Sequence, residues 1–281
     1  MILLGKPIAI TGGSSGIGAA SALACARSGM PVALGARRLD KLQALADQIN
    51  RAGGKAIAIA CDVGDESQCR DFVNRAAEAL GPLHAVFANA GYGFEKPVSA
   101  LDDAELERIF RINFWGSLWT IRPALEQFKK SGTGHVIWCS SCVAKIGLPF
   151  YAPYSASKAM QDHFGRSLRL ELAADPATRN IMCSTVHPIG TDTEFFDIAA
   201  AQSAGARLIN RTPSFFTQSP NTVATAIVRR LAAHKGGEIW TSFPTRLALA
   251  GAAAFPGLAD VVLTQMVKKR LERRSQTEST H

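Results

Sequence analysis

The chain has 281 residues, of which 47% are hydrophobic and 19% charged, enough apolar material for a large α/β domain and too much for global disorder. Its formal charge is +8, from 31 basic and 23 acidic residues, which suits a phosphorylated ligand or an anionic surface. No basic run is interleaved with aromatics, so nucleic-acid binding is not expected.

Taken in chain order, short apolar runs at 8–11, 32–34, 56–60, 83–88, 135–139, 181–186 and 238–241 read as strands. They are apolar on both faces, as strands covered by helices on two sides must be. Between them, residues 17–28, 38–52, 67–80, 104–130, 156–174 and 221–233 carry helical periodicity. This alternation predicts an α/β fold, a doubly wound parallel sheet of about seven strands with right-handed crossovers and helices on both faces. One dinucleotide-binding and catalytic domain is expected over 1–243, with a candidate lid at about 189–219 and an extension over 244–281. The opening Met1-Ile-Leu-Leu-Gly-Lys6 lacks a basic leader, and the longest apolar stretch, 247–263, is broken by Pro256, Gly257 and Asp260. A cytoplasmic or peripherally attached protein is therefore expected.

The first strand runs into Thr11-Gly12-Gly-Ser14-Ser15-Gly16-Ile17-Gly18. Glycines at 12, 16 and 18 let the backbone turn tightly and bring amide groups, with the positive end of the next helix, close to a pyrophosphate. The second strand ends Ala36-Arg37-Arg38, with no acidic side chain to bind ribose hydroxyls. Guanidinium groups there favour a 2′-phosphate, so NADP(H) is expected over NAD(H). Arg37 ranks first as the phosphate ligand by its position in the turn, the other arginine capping or solvating the helix.

Tyr154 and Lys158 are four residues apart, neighbours on one helical face. An ammonium beside the phenol favours the phenolate and brings it into range for acid–base work. In most proteins a lone Tyr-x-x-x-Lys is a surface pair; Ser141, thirteen residues upstream, adds a polariser for an oxygen. Ser140 is the competing serine, and Ser155 and Ser157 read as helix-surface or interface residues. Cys139-Ser-Ser-Cys142 has the form of a redox pair, although its serines have the stronger claim. The six cysteines read as buried free thiols. The six histidines lack ligand spacing, so no metal centre is expected.

Together these motifs resemble the short-chain dehydrogenase/reductase family over about residues 5 to 243. Thr11-Gly12-x-x-x-Gly16-x-Gly18 is similar to its coenzyme turn, and Asp62-Val63 to its adenine-contacting pair. Asn89-Ala90-Gly91 is similar to its N-A-G motif, with Ala88 in place of the usual preceding asparagine. Asn113, Ser141, Tyr154 and Lys158 coincide with its catalytic tetrad. The resemblance implies reversible hydride transfer between a nicotinamide and a carbonyl or alcohol carbon. Tyr154 would be the acid, Ser141 the polariser, Lys158 the activator and ribose ligand, and Asn113 the holder of a relay water. It further implies a homodimer or homotetramer. Pro188-Ile-Gly-Thr191-Asp-Thr193 departs from the family's Pro-Gly-x-Val-x-Thr, with Ile189 for the glycine and Thr191 for an aliphatic residue. A non-catalytic NADP sensor on the same fold is the alternative.

Phe195, Phe196, Leu208, Ile209, Phe215 and Phe216 in the candidate lid suit an apolar carbonyl compound, or equally the core. Trp115 and Trp119 follow Asn113 at helical spacing and suit packing or a cleft. Residues 261–274 read as a basic amphipathic helix, able to lie on an anionic bilayer or to pack on a subunit.

Overall fold

A computed structural model describes residues 2–191 and 217–278. Nine strands are described: β1 Ile8–Thr11, β2 Val32–Ala36, β3 Ala56–Ala60, β4 Ala85–Ala88, β5 Gly134–Cys139, β6 Ile181–His187, β7 Gly190–Thr191, β8 Thr217–Gln218 and β9 Gly237–Trp240. The helices are α1 Gly16–Arg27, α2 Leu39–Arg51, α3 Glu66–Leu80, α4 Asp103–Phe110, α5 Gly116–Ser131, α6 Ala152–Ala174, α7 Pro220–Ala233, α8 Phe243–Ala254 and α9 Pro256–Glu278.

Seven strands form one parallel sheet in the order β3-β2-β1-β4-β5-β6-β9. This is the doubly wound, Rossmann-like fold expected, with each strand near its predicted span. Side chains alternate across the sheet. Ile8, Ile10, Leu34 and Phe87 face one core, shared with Leu42 of α2 and Ile227 of α7. Ala9, Val86, Val136 and Trp138 face the other, shared with Phe72 of α3 and Phe128 of α5. The order of strand addition reverses between β1 and β4, and a crevice opens there at the carboxyl ends of the strands, where such sheets bind ligands.

Three local departures matter for that crevice. The helical stretch expected over 104–130 is α4 and α5 joined by a π-helical turn, Arg111–Trp115, that contains Asn113. The Asn113 carbonyl accepts hydrogen bonds from Ser117 Oγ at 2.8 Å and from Gln161 Nε2 of α6 at 2.6 Å, so side chains share an acceptor that the ladder would otherwise monopolise. Helix α6 starts at Ala152, earlier than expected, because Pro153 fits the first turn. Tyr154 thus lies in that turn, close to the cleft. Strands β7 and β8 form a separate short parallel pair. Of the candidate lid, Thr193 and the aromatics from Phe195 to Phe216 lie outside the described residues.

The extension also differs from its expected form. It is two helices, α8 and α9, bent by 112° at a break between them. In α9 most apolar residues, Leu258 to Val267, precede the basic ones, Lys268 onward, with Leu271 the exception, so the two classes separate mainly along the helix. Leu258, Val261, Val262 and Met266 are exposed. No single helix among the described residues is long and apolar enough to cross a membrane.

Candidate active site

A cleft of about 710 Å³ occupies the crevice, lined by the first glycine turn, the ends of β2 to β6, and Met266 from α9. Gly12, Ser14, Ser15, Gly16 and Ile17 form its floor, Arg37, Arg38, Asp62 and Val63 one end, and Asn89, Ala90 and Gly91 the middle. Ser141, Tyr154, Lys158, Pro188, Ile189 and Thr191 close the other end. Gly18 lies behind the lining, and its role is steric: a Cβ there would fall 2.2 Å from the Gly12 carbonyl oxygen. Gly12 itself has φ +67°, and a Cβ on it would meet Ala90 Cα at 2.8 Å.

The turn is pinned to β4 by Asn89, whose Nδ2 donates to the carbonyls of Thr11 at 3.0 Å and Gly12 at 3.3 Å. Ser15, the residue before α1, makes no side-chain cap, which leaves first-turn N–H groups turned to the cleft with the dipole behind them. Arg38 Nη2 donates to Ser14 Oγ and Ser15 Oγ, each at 3.0 Å. Arg37 is exposed. The guanidinium bonded to the glycine turn is that of Arg38, while Arg37, ranked first from position, lines the same cleft. Asp62 uses Oδ1 to accept from Gly64 N at 2.9 Å, which shapes its own turn.

Lys158 is buried, and its Nζ donates to the Cys139 carbonyl at 2.7 Å and to Gln161 Oε1 at 2.9 Å. It lies 5.7 Å from the centroid of the Tyr154 ring. Burial raises the Tyr154 phenol above its ordinary value, opposed by a hydrogen bond with Ser141; burial also lowers Lys158. The phenol therefore stands above its ordinary range, with burial as the largest cause. Ser140 Oγ donates to the Lys158 carbonyl at 2.8 Å, a structural bond. Ser155 and Ser157, read as helix-surface or interface residues, are both buried within the chain: Ser155 donates back to the Tyr151 carbonyl at 3.0 Å, and Ser157 to that of Tyr154 at 2.8 Å.

Asn113 is fully buried. Its Nδ2 donates to the Tyr92 carbonyl and to Ser157 Oγ, both at 2.9 Å, and its Oδ1 accepts from Tyr92 N at 2.9 Å. Its side chain therefore braces the loop after Gly91. Gln161, which sequence reasoning missed, links Lys158 to the Asn113 carbonyl directly. The available signal was its place three residues after Lys158 on the same helical face. Burial pushes the Cys139 thiol up, and Cys142 is likewise raised, as inert structural thiols are.

A parallel sheet with a glycine turn at its reversal point, and with a serine, a tyrosine and a lysine at one end of the cleft, defines a Rossmann-like nucleotide-binding oxidoreductase. The chain belongs to the short-chain dehydrogenase family, whose profile, short chain dehydrogenase, matches residues 6–203. It is 35% identical over 197 residues to an uncharacterised oxidoreductase of Listeria innocua, covering 70% of this chain and 79% of that protein. Glycine betaine reductase of Emericella nidulans is also 35% identical, over 202 residues and 72% of this chain, but the chain spans only 16% of that protein's length. Among solved structures, the alcohol dehydrogenase of Thermococcus sibiricus complexed with 5-hydroxy-NADP superposes with a TM-score of 0.71 at 26% identity, covering 84% of this chain and 95% of that one.

Proposed function

We propose that this chain is an NADP(H)-dependent oxidoreductase acting on a carbonyl or secondary alcohol. The observation that carries this reading is the meeting of Ser141, Tyr154 and Lys158 in the same cleft as the glycine turn. A bound nicotinamide would supply or accept the hydride at that end of the cleft; the residues present fit it, since the glycine turn leaves room and free N–H groups for a pyrophosphate.

In the reducing direction Tyr154 gives its proton to the substrate oxygen, and Ser141 donates a hydrogen bond to the same atom. A phenol raised by burial stays protonated at neutral pH, which suits it as an acid in that direction. Lys158, fixed by Cys139 and Gln161, holds a positive charge beside the phenol and stabilises the phenolate left behind. Asn113 keeps the Gly91–Tyr92 loop in place. Arg38 with Ser14 and Ser15 supports a preference for a 2′-phosphate, because one guanidinium and two hydroxyls converge where an acidic side chain would repel it. Asp62 and Val63 take the adenine end, and Pro188 and Thr191 the carboxamide end.

Val143, Leu148, Tyr151, Ile189 and Met266 line the substrate side, which supports an apolar carbonyl compound. Exposed Trp115 and Phe164 on the Asn113 and Tyr154 helices support packing against further copies of the chain. A cytoplasmic protein touching membranes through α8 and α9 accords with their exposed apolar residues.

The test is an NADPH-oxidation screen against ketone and aldehyde panels, run on the wild type and Tyr154→Phe. Turnover is expected to fall by about 100-fold or more with NADPH affinity unchanged. Equal turnover in the variant would remove Tyr154 from its role.

A further inference from the structure

A second cavity, of about 370 Å³, lies between α8 and α9, and every residue lining it is apolar. On α8 it is walled by Ala248, Gly251, Ala252 and Phe255, whose spacing puts them on one helical face. Three of these four are small, and the room comes from them: a Cβ on Gly251 would meet nothing within 4 Å. On α9 the wall is Leu258, Ala259, Val262 and Leu263, again one face. Ile146, just past the 3₁₀ turn Cys142–Lys145 that follows Ser141, completes it.

The stripe on α9 does not stop at this cavity. One turn further along, Met266 continues it and lines the cleft that holds Ser141, Tyr154 and Lys158. The loop after Ser141 repeats the arrangement from the other side. There Val143 and Leu148 line the cleft, while Ile146, between them in sequence, lines the cavity. Helix α8 packs directly on the turn Cys142–Lys145, and Lys145 anchors that turn to Asp162 at 2.6 Å and Glu238 at 3.0 Å. The two spaces therefore share one helical stripe and one fixed loop. The part of the cleft wall that they share, Val143, Leu148 and Met266, is itself apolar.

We propose that the second cavity is a tail-binding subsite, and that the substrate is a long-chain ketone or secondary alcohol. Its alkyl chain runs from the cleft past Met266 and lies along the small-residue face of α8. This rests on the oxidoreductase reading given above. With its oxygen at Tyr154 and Ser141, such a molecule needs a route out of the cleft that asks for no hydrogen bond, and this is one. The cavity lining offers no side-chain donor or acceptor, so water gains little there, whereas covering the largely exposed Phe255 and Leu258 is favourable. A methylene takes roughly the space of a water, about 30 Å³ in the liquid, so the cavity holds on the order of ten. A helix from another protein, about 10 Å across, could cover the groove but could not follow it into the cleft.

The test takes straight-chain 2-alkanones from 2-pentanone to 2-tetradecanone with NADPH, on the full-length chain and on Gly251→Phe. The added ring points into open space, and Ala248→Leu serves if that variant fails to fold. In the wild type, kcat/KM should rise about three- to fourfold per methylene and level off once the cavity is full. In Gly251→Phe the rise should level off at a shorter chain, lowering the preference for 2-tetradecanone over 2-pentanone by about tenfold or more. A wild type indifferent to chain length, or a variant with the wild-type preference, overturns the proposal. Indifference to length together with a smaller assembly for Gly251→Phe would give the groove to a second copy of the chain and overturns it as well. Isothermal titration of the same ketones without nucleotide reads tail binding apart from turnover. A chain that binds longer ketones more tightly, loses this in Gly251→Phe and yet reduces none refutes the oxidoreductase reading alone.

Discussion

Arg38 and Arg37 are adjacent, yet only the first donates to Ser14 and Ser15. Charge-assisted bonds to a phosphate contribute about 1.5–3 kcal/mol each, so Arg38→Ala should weaken NADPH binding by about 10- to 100-fold and leave NADH nearly unchanged. Arg37→Ala should do much less, and isothermal titration of both variants against both nucleotides checks the order. The pair could be read from the sequence; which of the two turns inward could not, because that depends on where α2 begins relative to the glycine turn. That Tyr154, Lys158 and Ser141 line one cleft was expected from their spacing taken together with the other motifs of the chain. Gln161 was not, since its role comes from contacts to Asn113 and Ser117, more than forty residues away in sequence. Spacing reports the charge four residues from Tyr154, but not the burial that raises its phenol.

Helices and strands were legible to the extent that their hydrophobic period was clean. The seven sheet strands are short, apolar on both faces and separated by turn residues, and they stand close to where the pattern puts them. The π turn in 111–115 carries no such signature, because it is fixed by side chains of α5 and α6 competing for one carbonyl. The junction of β1 and α1 is a case where sequence and packing agree. Glycine at 18 is required by contact with the Gly12 carbonyl, and not merely permitted by flexibility. Gly18→Ala forces the helix away from the turn, an overpacking that costs about 1–3 kcal/mol. A melting temperature lower by several degrees is expected, together with weaker dinucleotide binding as the first-turn N–H groups shift. Calorimetry and nucleotide titration on one preparation test both, and an unchanged melting temperature would show that the turn can give way.

Across the whole molecule, order in the sheet follows from the alternation of strands and helices, while the C-terminal pair did not take the form its composition suggested. Charge and apolar residues both occur in 261–274, but the helix separates them end from end, a distinction that composition over a window cannot make. Phe255 and Leu258 are 68% and 67% exposed, and Lys268 and Lys269 are exposed further along α9. Removing residues 245–281 should therefore abolish co-sedimentation with anionic liposomes, while neutral liposomes should bind neither form well. Binding that survives the truncation would assign the contact elsewhere. The shared family profile ends at residue 203, whereas Met266, far beyond it, forms part of the cleft wall. Part of the cleft wall is thus supplied by a stretch outside the profile. Substitutions in the C-terminal helices could therefore redraw the mouth of the cleft, and with it the menu of compounds admitted, while Ser141, Tyr154 and Lys158 stay as they are.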